Sequence, residues 1–440
     1  MDLYLFEKTK KVATNLDINL NLNVRGLSPS ATLAINEKSQ QLSSEGRNIY
    51  FFGLGQSPFP IPNHVVEELR KHAHQKDYLP VKGLLALREA VALYHRKMEG
   101  IPLTKEDVLI GPGSKELMFI MQLAYYGDLV IPTPSWVSYA PQAQIIGRKI
   151  RWVATTQQDN WKLTPAALDH LCSEDPTRPR ILILNYPANP TGDSYTIDEL
   201  KALADIARKY KVVLLSDEIY SGLHHRAQHV SIARFYPEGT IISGGISKWL
   251  GAGGWRLGTF TFPKQLRWLL EAMSVVASET YTATSAPVQY AAIKAFEGGA
   301  EIDEYLIHCR RILRALGKEV WRRLTENQAI VTKPRGGFYL FPNFTPWHDT
   351  LAKRGIHDSV MLCDRLLEDA GVAILPGRDF GRPIHELTAR LAFVDFDGQS
   401  VLDASMKIQD KEPLKLDFLE QYCPRVLTGI DLITEWIRGA

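Results

Sequence analysis

Lys248 sits in the run Gly244-Gly245-Ile246-Ser247-Lys248-Trp249-Leu250-Gly251-Ala252-Gly253-Gly254-Trp255-Arg256, where an amine and a guanidinium stand among small residues. An amine freed of its proton is both a nucleophile and a proton carrier, so this residue could do covalent chemistry. Arg256 adds a fixed forked cation suited to phosphate oxygens, and the glycines let the backbone approach a bound molecule closely. The apolar run 240–243 reads as a short buried strand ending in a glycine turn, so Lys248 leaves a strand end rather than a helix face. A surface lysine beside a glycine turn is the commoner arrangement. What overturns it is the set of residues at other strand ends.

The run 108–110 leads into Gly111-Pro112-Gly113-Ser114-Lys115-Glu116, a turn opening a helix whose free N–H groups suit a phosphate, although such turns alone are more often structural. The run 129–131 leads into Pro132-Thr133-Pro134-Ser135-Trp136, whose prolines either present the indole as a platform for an aromatic ring or set it in the core. The run 181–184 ends in Asn185-Tyr186-Pro187-Ala188-Asn189-Pro190-Thr191-Gly192, and 212–215 ends in Ser216-Asp217-Glu218-Ile219-Tyr220. A carboxylate at a buried strand end is costly unless it meets a cation or donor, so Asp217 needs a partner. A protonated ring nitrogen would be one.

The elements that must position these residues follow from periodicity. Apolar runs at 108–110, 129–131, 150–153, 181–184, 212–215, 241–242 and 259–262 alternate with helical segments, notably 163–171 and 197–210. That pattern predicts an α/β fold with a mainly parallel seven-stranded sheet between helices, whose ligands collect at the carboxyl ends of the strands. Before it, Ser28-Pro29-Ser30 offers start chemistry for a helix from Ala31, a strand at 49–55 runs into Gly55, and Gln56 to Pro62 forms a proline-rich loop. Helices are expected from near Asn63 and from Gly83, with Tyr78 between them. A long helix over 303–324, a strand at 336–341, a helix over 358–370 and a strand at 372–377 predict a smaller α+β domain. The expected division is 1–55 (N-terminal segment and part of the small domain), 56–302 (large domain) and 303–440 (C-terminal small domain). Signals beyond Asp397 are weakest, with a closing helix expected from Leu427.

Composition narrows the classes of function. Lys and Arg number 51 against 49 Asp and Glu, so no nucleic-acid footprint is indicated, and the clusters Lys8-Lys10-Lys11 and Arg310-Arg311 read as solvated helix faces. Cys172, Cys309, Cys363 and Cys423 show no zinc or disulfide spacing, and a reducing cytoplasm fits best. Met1 to Lys8 lacks a signal-peptide pattern, and no apolar run is long enough to span a bilayer. His224, His225 and His229 lack accompanying carboxylate spacing, so a solvated or capping role is expected rather than a metal site, and His72 and His74 sit on a polar helix end.

Asn189-Pro190-Thr191-Gly192, then Asp217 with Tyr220, then Ser247-Lys248 with Arg256, resemble the class I/II aminotransferases that use pyridoxal 5'-phosphate, of fold type I. Ser28 to Thr32, Gly55 with its proline-rich loop, Tyr78 ahead of Gly83, Trp136, Gly337-Phe338-Tyr339 and Arg390-Leu391-Ala392-Phe393 stand in the family's order. The resemblance implies that Lys248 forms a Schiff base with the cofactor and shuttles the substrate proton. It implies that Asp217 keeps the pyridine nitrogen protonated, with Tyr220 and Asn189 on the ring oxygen and Trp136 stacked on the ring. The phosphate is expected on the amides of Gly113, Ser114 and Lys115, with Ser247 and Arg256 opposite. Tyr78 reaching in from a second subunit would make a homodimer with shared active sites. Arg390 is expected to clamp the substrate α-carboxylate bidentately, helped by Asn189 and the Gly55 amide.

Where the family often has a phosphate-binding serine three residues before the lysine, this chain has Gly245, and its segment beyond Asp397 is longer than usual. Lys115 and the Ser28 to Thr32 run are similar to a bacterial aspartate and prephenate aminotransferase subgroup, in which the lysine reaches a substrate's distal carboxylate. Lys115 either does so here, or only neutralises the phosphate or points to solvent. The expected reaction is ping-pong transfer of the amino group of an L-amino acid, aspartate or glutamate, to a 2-oxo acid. The same fold also supports C–S β-elimination, which would yield pyruvate and ammonia, and aminotransferases of aromatic or other amino acids. An effector-binding regulator is disfavoured because too few residues precede the catalytic fold to build a DNA-binding domain.

Overall fold

Seven runs rich in Val, Ile and Leu form one sheet in a computed structural model that describes residues 19–409 and 412–439. The strands are β1 (Val108–Gly111), β2 (Asp128–Thr133), β3 (Ile150–Ala154), β4 (Arg180–Asn185), β5 (Val213–Asp217), β6 (Thr240–Gly245) and β7 (Gly258–Thr261). Their spatial order is β1-β7-β6-β5-β4-β2-β3, parallel from β3 through β6, with β7 antiparallel to both of its neighbours. Each strand falls on one of the seven apolar runs.

Strand residues alternate between two apolar layers. Ile181, Ile183, Val213 and Leu215 pack into one layer with Leu117 and Phe260, while Leu182, Leu184 and Leu214 pack into the other with Leu200 and Leu203. The period of two in side-chain direction feeds both layers from the same strands, which is why these runs are apolar throughout rather than alternating. The covering helices start where the sequence supplies caps. Thr164 caps Pro165–Ser173, and Thr196 with Glu199 forms a reciprocal capping box on Ile197–Lys209.

The chain's two ends meet in smaller sheets. Tyr50–Phe51 pairs in parallel with Val372–Ala373, and Ala389–Ala392 lies between Leu375–Pro376 and Tyr339–Leu340 in an antiparallel trio. The helix Ala31–Ser44 begins where the Ser28 to Ser30 signal places it, although the Ser30 side chain makes no capping bond. The 27-residue helix Ala300–Glu326 buries Ile302, Tyr305, Leu306, Cys309, Ile312, Leu313, Leu316 and Val320, spacing that keeps one stripe inward.

Two expectations are corrected. The segment after Asp397 carries three helices, Gly398–Met406, Leu416–Tyr422 and Pro424–Arg438, the last starting at Pro424 rather than Leu427. Proline at the first helical turn loses no intrahelical bond, so it marks a start rather than a break. This closing helix is tied down by Trp436, whose indole N–H donates to Asp369 at 3.0 Å, and by Arg425, which binds Asp395 and the Ile49 carbonyl. The pair Arg310-Arg311 is not a solvated face: Arg310 donates to the Gly222 carbonyl at 2.8 Å and Arg311 to the carbonyls of Ile408 and Glu412. Cys172, Cys309, Cys363 and Cys423 are buried free thiols. Lys8-Lys10-Lys11 and Met1 to Lys8 lie outside the described residues. Among the described residues, no helix is long and apolar enough to cross a membrane.

Candidate active site

Register brings three polar side chains side by side at the carboxyl edge of the sheet. Asn185 pairs with Asp217 across β4 and β5, and Asp217 pairs with Ser243 across β5 and β6. The Asp217 carboxylate accepts the Tyr139 hydroxyl at 2.5 Å on one oxygen and the Ser243 hydroxyl at 3.4 Å on the other. Burial pushes this carboxyl up to about 6, with the Tyr139 bond pulling the other way. Burial, and then the neighbouring Asp217 charge, hold the Tyr139 phenol well above its usual range, so it stays a donor. Asn185 donates to the Asp217 carbonyl at 2.9 Å and accepts the Asn189 amide at 2.7 Å, which locks the Asn189 turn to the same strand ends.

Opposite this carboxylate lies Lys248, just past the end of β6. Its amine donates to the Gly55 carbonyl at 2.7 Å and stands 5.8 Å from the Tyr220 ring centre and 5.9 Å from that of Phe338. Desolvation first, then the Arg390 and Arg256 charges, lower it to about 8. From the usual lysine value, that shift raises the neutral fraction at pH 7 by about 300-fold. Tyr220 and Tyr339 share a hydroxyl–hydroxyl bond of 2.8 Å, and Tyr339 also reaches the Gly55 carbonyl at 3.4 Å. A β-carbon at Gly55 would lie 1.8 Å from the Tyr339 oxygen, so only glycine fits there.

Arg390 is buried on the strand Ala389–Ala392 between the Tyr339 and Phe380 rings, 4.9 and 5.2 Å from their centres. It donates to Asn189 Oδ1 at 3.4 Å and to the Gly53 carbonyl, while its Nε has no hydrogen-bond partner among the described residues. A buried guanidinium with an orphaned donor and, among the described residues, no ion pair to a carboxylate has the capacity to take an anion.

The other end of the site is built from glycines and cations. Gly113 has φ +97°, and a β-carbon there would lie 2.2 Å from the Arg256 guanidinium. Arg256 itself has φ +53°, a strained conformation for a non-glycine residue and one that tends to occur at functional sites. The Gly113 N–H donates to the Gly111 carbonyl at 2.7 Å, so of the three amides expected to face a phosphate it is already engaged. Ser114 and Lys115 open the helix Ser114–Ala124, whose first amides have no intrahelical acceptor. A β-carbon at Gly245, φ +151°, would lie 2.7 Å from the Leu257 carbonyl, which accounts for glycine where a serine was expected. Lys115 is exposed, with its amine 5.1 Å over the Trp136 ring; partial desolvation and then Arg256 lower its pKa.

A cavity of about 430 Å³ joins both ends and is bordered by Gly55, Ser114, Lys115, Trp136, Asn189, Asp217, Tyr220, Ser247, Lys248, Arg256 and Arg390. Its size is that of a small-molecule site. Among the described residues, four cations line it against one carboxylate. The model of the family described as aminotransferase class I and II matches residues 47–393 of this chain.

The chain is a class I and II aminotransferase.

It is 34% identical over 377 residues to an aspartate aminotransferase of Geobacillus stearothermophilus, covering 83% of this chain and 93% of that one. It is 31% identical over 366 residues to an aspartate/prephenate aminotransferase of Thermus thermophilus, covering 82% and 91%. The solved Thermus thermophilus aspartate aminotransferase with maleate superposes with a TM-score of 0.81 at 26% identity, over 95% of this chain and all of that one.

Of the site residues singled out from this aminotransferase's sequence, Gly113 and Tyr78 do not border the cavity: Gly113 lies behind Arg256, whereas Tyr78 is 90% exposed on the chain. Sequence reasoning missed Tyr139, Asn185, Tyr339 and Thr32 as parts of the site. Tyr139 follows Trp136 by three residues and opens the helix Tyr139–Ile145, which aims it at β5, but its link to Asp217 spans 78 positions and leaves no local trace. Thr32 borders the cavity from the helix Ala31–Ser44, and its hydroxyl is buried without a partner among the described residues.

The histidine expectation is corrected in part. His224 does cap, accepting the amides of Arg226 and Gln228, but neither it nor His225 is solvated, and burial lowers both to about 4. His229 does have carboxylate company, contributed from elsewhere in the chain. Its Nε2 meets Glu218 at 2.8 Å, and Glu99 lies beside them. Those carboxylates are taken up by Ser216, Ser231 and Arg234, while the other ring nitrogen of His229, Nδ1, is buried without a hydrogen-bond partner among the described residues.

Proposed function

We propose that this aminotransferase moves the amino group of L-aspartate or L-glutamate to a 2-oxo acid, using pyridoxal 5'-phosphate held at the carboxyl edge of the sheet. The observation that carries the reading is the charge of the cavity, where, among the described residues, Lys115, Lys248, Arg256 and Arg390 face Asp217 alone. The donor set fits the cofactor: Asp217 for a ring nitrogen, Tyr220 and Asn189 for a ring oxygen, Trp136 for a ring face. Arg256, Ser247 and the amides at Ser114 and Lys115 suit a phosphate. The bound cofactor supplies an electron sink for charge developing at the substrate α-carbon.

The chain's own residues do the rest. Arg390, with an unpaired Nε in a wall of aromatic rings, orients the α-carboxylate. Lys248, lowered to about 8 and anchored on the Gly55 carbonyl, is able to take a proton from the α-carbon and return it at neutral pH. Tyr139 and Ser243 hold the Asp217 carboxylate in place.

Substrate follows from the remaining cation. With Arg256 serving a phosphate, Arg390 the α-carboxylate and Lys248 the proton, Lys115 at the open mouth is left for a second carboxylate. The maleate of the solved Thermus thermophilus aspartate aminotransferase is such a dianion. Across a panel of amino donors with 2-oxoglutarate, aspartate or glutamate is expected to give the highest kcat/KM. Lys115→Ala is expected to raise their KM about tenfold, the size of one charge-assisted bond, and to leave an uncharged donor unaffected. An unchanged dicarboxylate KM contradicts this assignment. The Arg256 charge acting on Lys115 favours a second reading, in which Lys115 serves the phosphate and the same variant weakens cofactor binding for every donor.

A homodimer belongs to the same proposal, because Tyr78 is an aromatic hydroxyl left 90% exposed by its own chain. Placed across a two-fold interface it would complete the phosphate end of the partner's site. Sedimentation is expected to give a dimer at micromolar concentration. A monomer with full activity would rule the shared site out.

A further inference from the structure

A second cavity, about 1320 Å³, opens away from the active site between the loop following Tyr220 and the helix Ala300–Glu326. Arg314, Lys318 and Trp321 stand on one face of that helix, at intervals of four and three residues, and form one wall. Arg226 faces them from the loop, and Lys333 and Arg335 rise from the segment before Gly336. The acid in the cavity wall, Asp193, is already held by Arg335 at 3.1 Å, and Arg234 is held by Glu99 at 2.8 Å. Among the described residues, Arg226, Arg314, Lys318 and Lys333 make no ion pair with an acid. The bordering His224 and His225 are neutral near pH 7 and add no charge to that of the arginines and lysines.

Four unpaired cations on facing walls repel one another, and an anion between them relieves that repulsion. Each exposed charge pair contributes little in water, so a single phosphate or carboxylate would be held poorly and several charges on one small molecule would be held well. The guanidinium groups of Arg226 and Arg314 suit the planar oxygen pairs of phosphates and carboxylates alike. The neighbouring aromatic surface does not invite a stacked ring, since Lys333 already covers Trp321 at 5.1 Å. We propose that this groove is a binding site for a compact small molecule bearing three or more negative charges, distinct from the amino-acid site.

The test titrates tripolyphosphate, and separately citrate, into the cofactor-loaded enzyme by calorimetry. The expected result is one anion per chain, with affinity falling as salt is added because the cations are exposed. Affinity is expected to drop at least tenfold in the double variant Arg314→Ala/Lys318→Ala and in Arg226→Ala/Lys333→Ala, and to stay unchanged in Lys115→Ala. Binding of both anions identifies charge as the determinant, and binding of tripolyphosphate alone identifies phosphate geometry. The proposal is overturned if neither anion binds at millimolar concentration, if both double variants bind as the parent does, or if Lys115→Ala removes the binding. All four replaced side chains project from the surface, and a melting curve matching the parent's checks that the variants fold.

Discussion

Replacing Lys248 by alanine is expected to lower kcat/KM for amino transfer by at least about 10⁴-fold, the upper range for a positioned proton carrier, with covalent attachment of the cofactor lost as well. Two features make this residue irreplaceable by a neighbour. Its amine is lowered to about 8 by desolvation and by Arg390 and Arg256, so a useful neutral fraction exists at pH 7. The other amine in the cavity, Lys115, lies exposed over the Trp136 ring at the mouth. The fold should tolerate the change, since the hydrogen bond lost is the one to the Gly55 carbonyl, which still meets the Tyr339 hydroxyl. The same lowered pKa fixes a pH dependence: uptake of pyridoxal 5'-phosphate by the cofactor-free protein should accelerate with rising pH and level off above about 8, where the amine is neutral. Stopped-flow absorbance checks the rate, and steady-state kinetics of Lys248→Ala checks the loss. Activity within tenfold of the parent would contradict the role.

Asp217→Asn is the second large effect, an expected fall of about 10²–10³-fold in kcat, comparable to removing one preorganised electrostatic group from an active site. The substitution keeps shape and removes charge, so it isolates the carboxylate's contribution from its packing. Buried among Tyr139, Ser243 and the Asn185 amide, the carboxyl is held at about 6 and remains mostly ionised at pH 7, ready for a protonated ring nitrogen. Tyr139→Phe should act in the same direction with smaller size. Losing one hydrogen bond to a charged group weakens cofactor binding by about tenfold and raises the Asp217 pKa further. A cofactor titration of the apoenzyme measures the first, and kcat as a function of pH the second. If Tyr139→Phe and the parent bind cofactor equally, the hydrogen bond at 2.5 Å is structural alone.

The frame of this site was readable in the amino-acid sequence because its parts are local. Each of the seven strands announces itself as an apolar run, and the residues at their ends, Asn189, Asp217, Lys248 and Gly113, come with turn chemistry attached. The hidden parts depend on register and long-range packing. Which strands neighbour one another determines that Asn185, Asp217 and Ser243 align, and no spacing within one segment records that. Tyr339 and Thr32 enter the cavity from distant segments, Tyr139 reaches Asp217 from another, and the Glu218–His229 contact likewise needs the fold to bring its parts together. The C-terminal helices were hard to read for a different reason. Gly398–Met406 and Leu416–Tyr422 are short, and polar residues separate them, so neither offers the long periodic stripe that marks Ala300–Glu326.

Borohydride reduction of the purified enzyme, followed by peptide mass spectrometry, tests the central assignment most directly. The account predicts that the reduced cofactor is recovered as a pyridoxyl group on the peptide carrying Lys248, at about one per chain. Recovery of that group on Lys115, or a protein that yields no modified lysine, would contradict it.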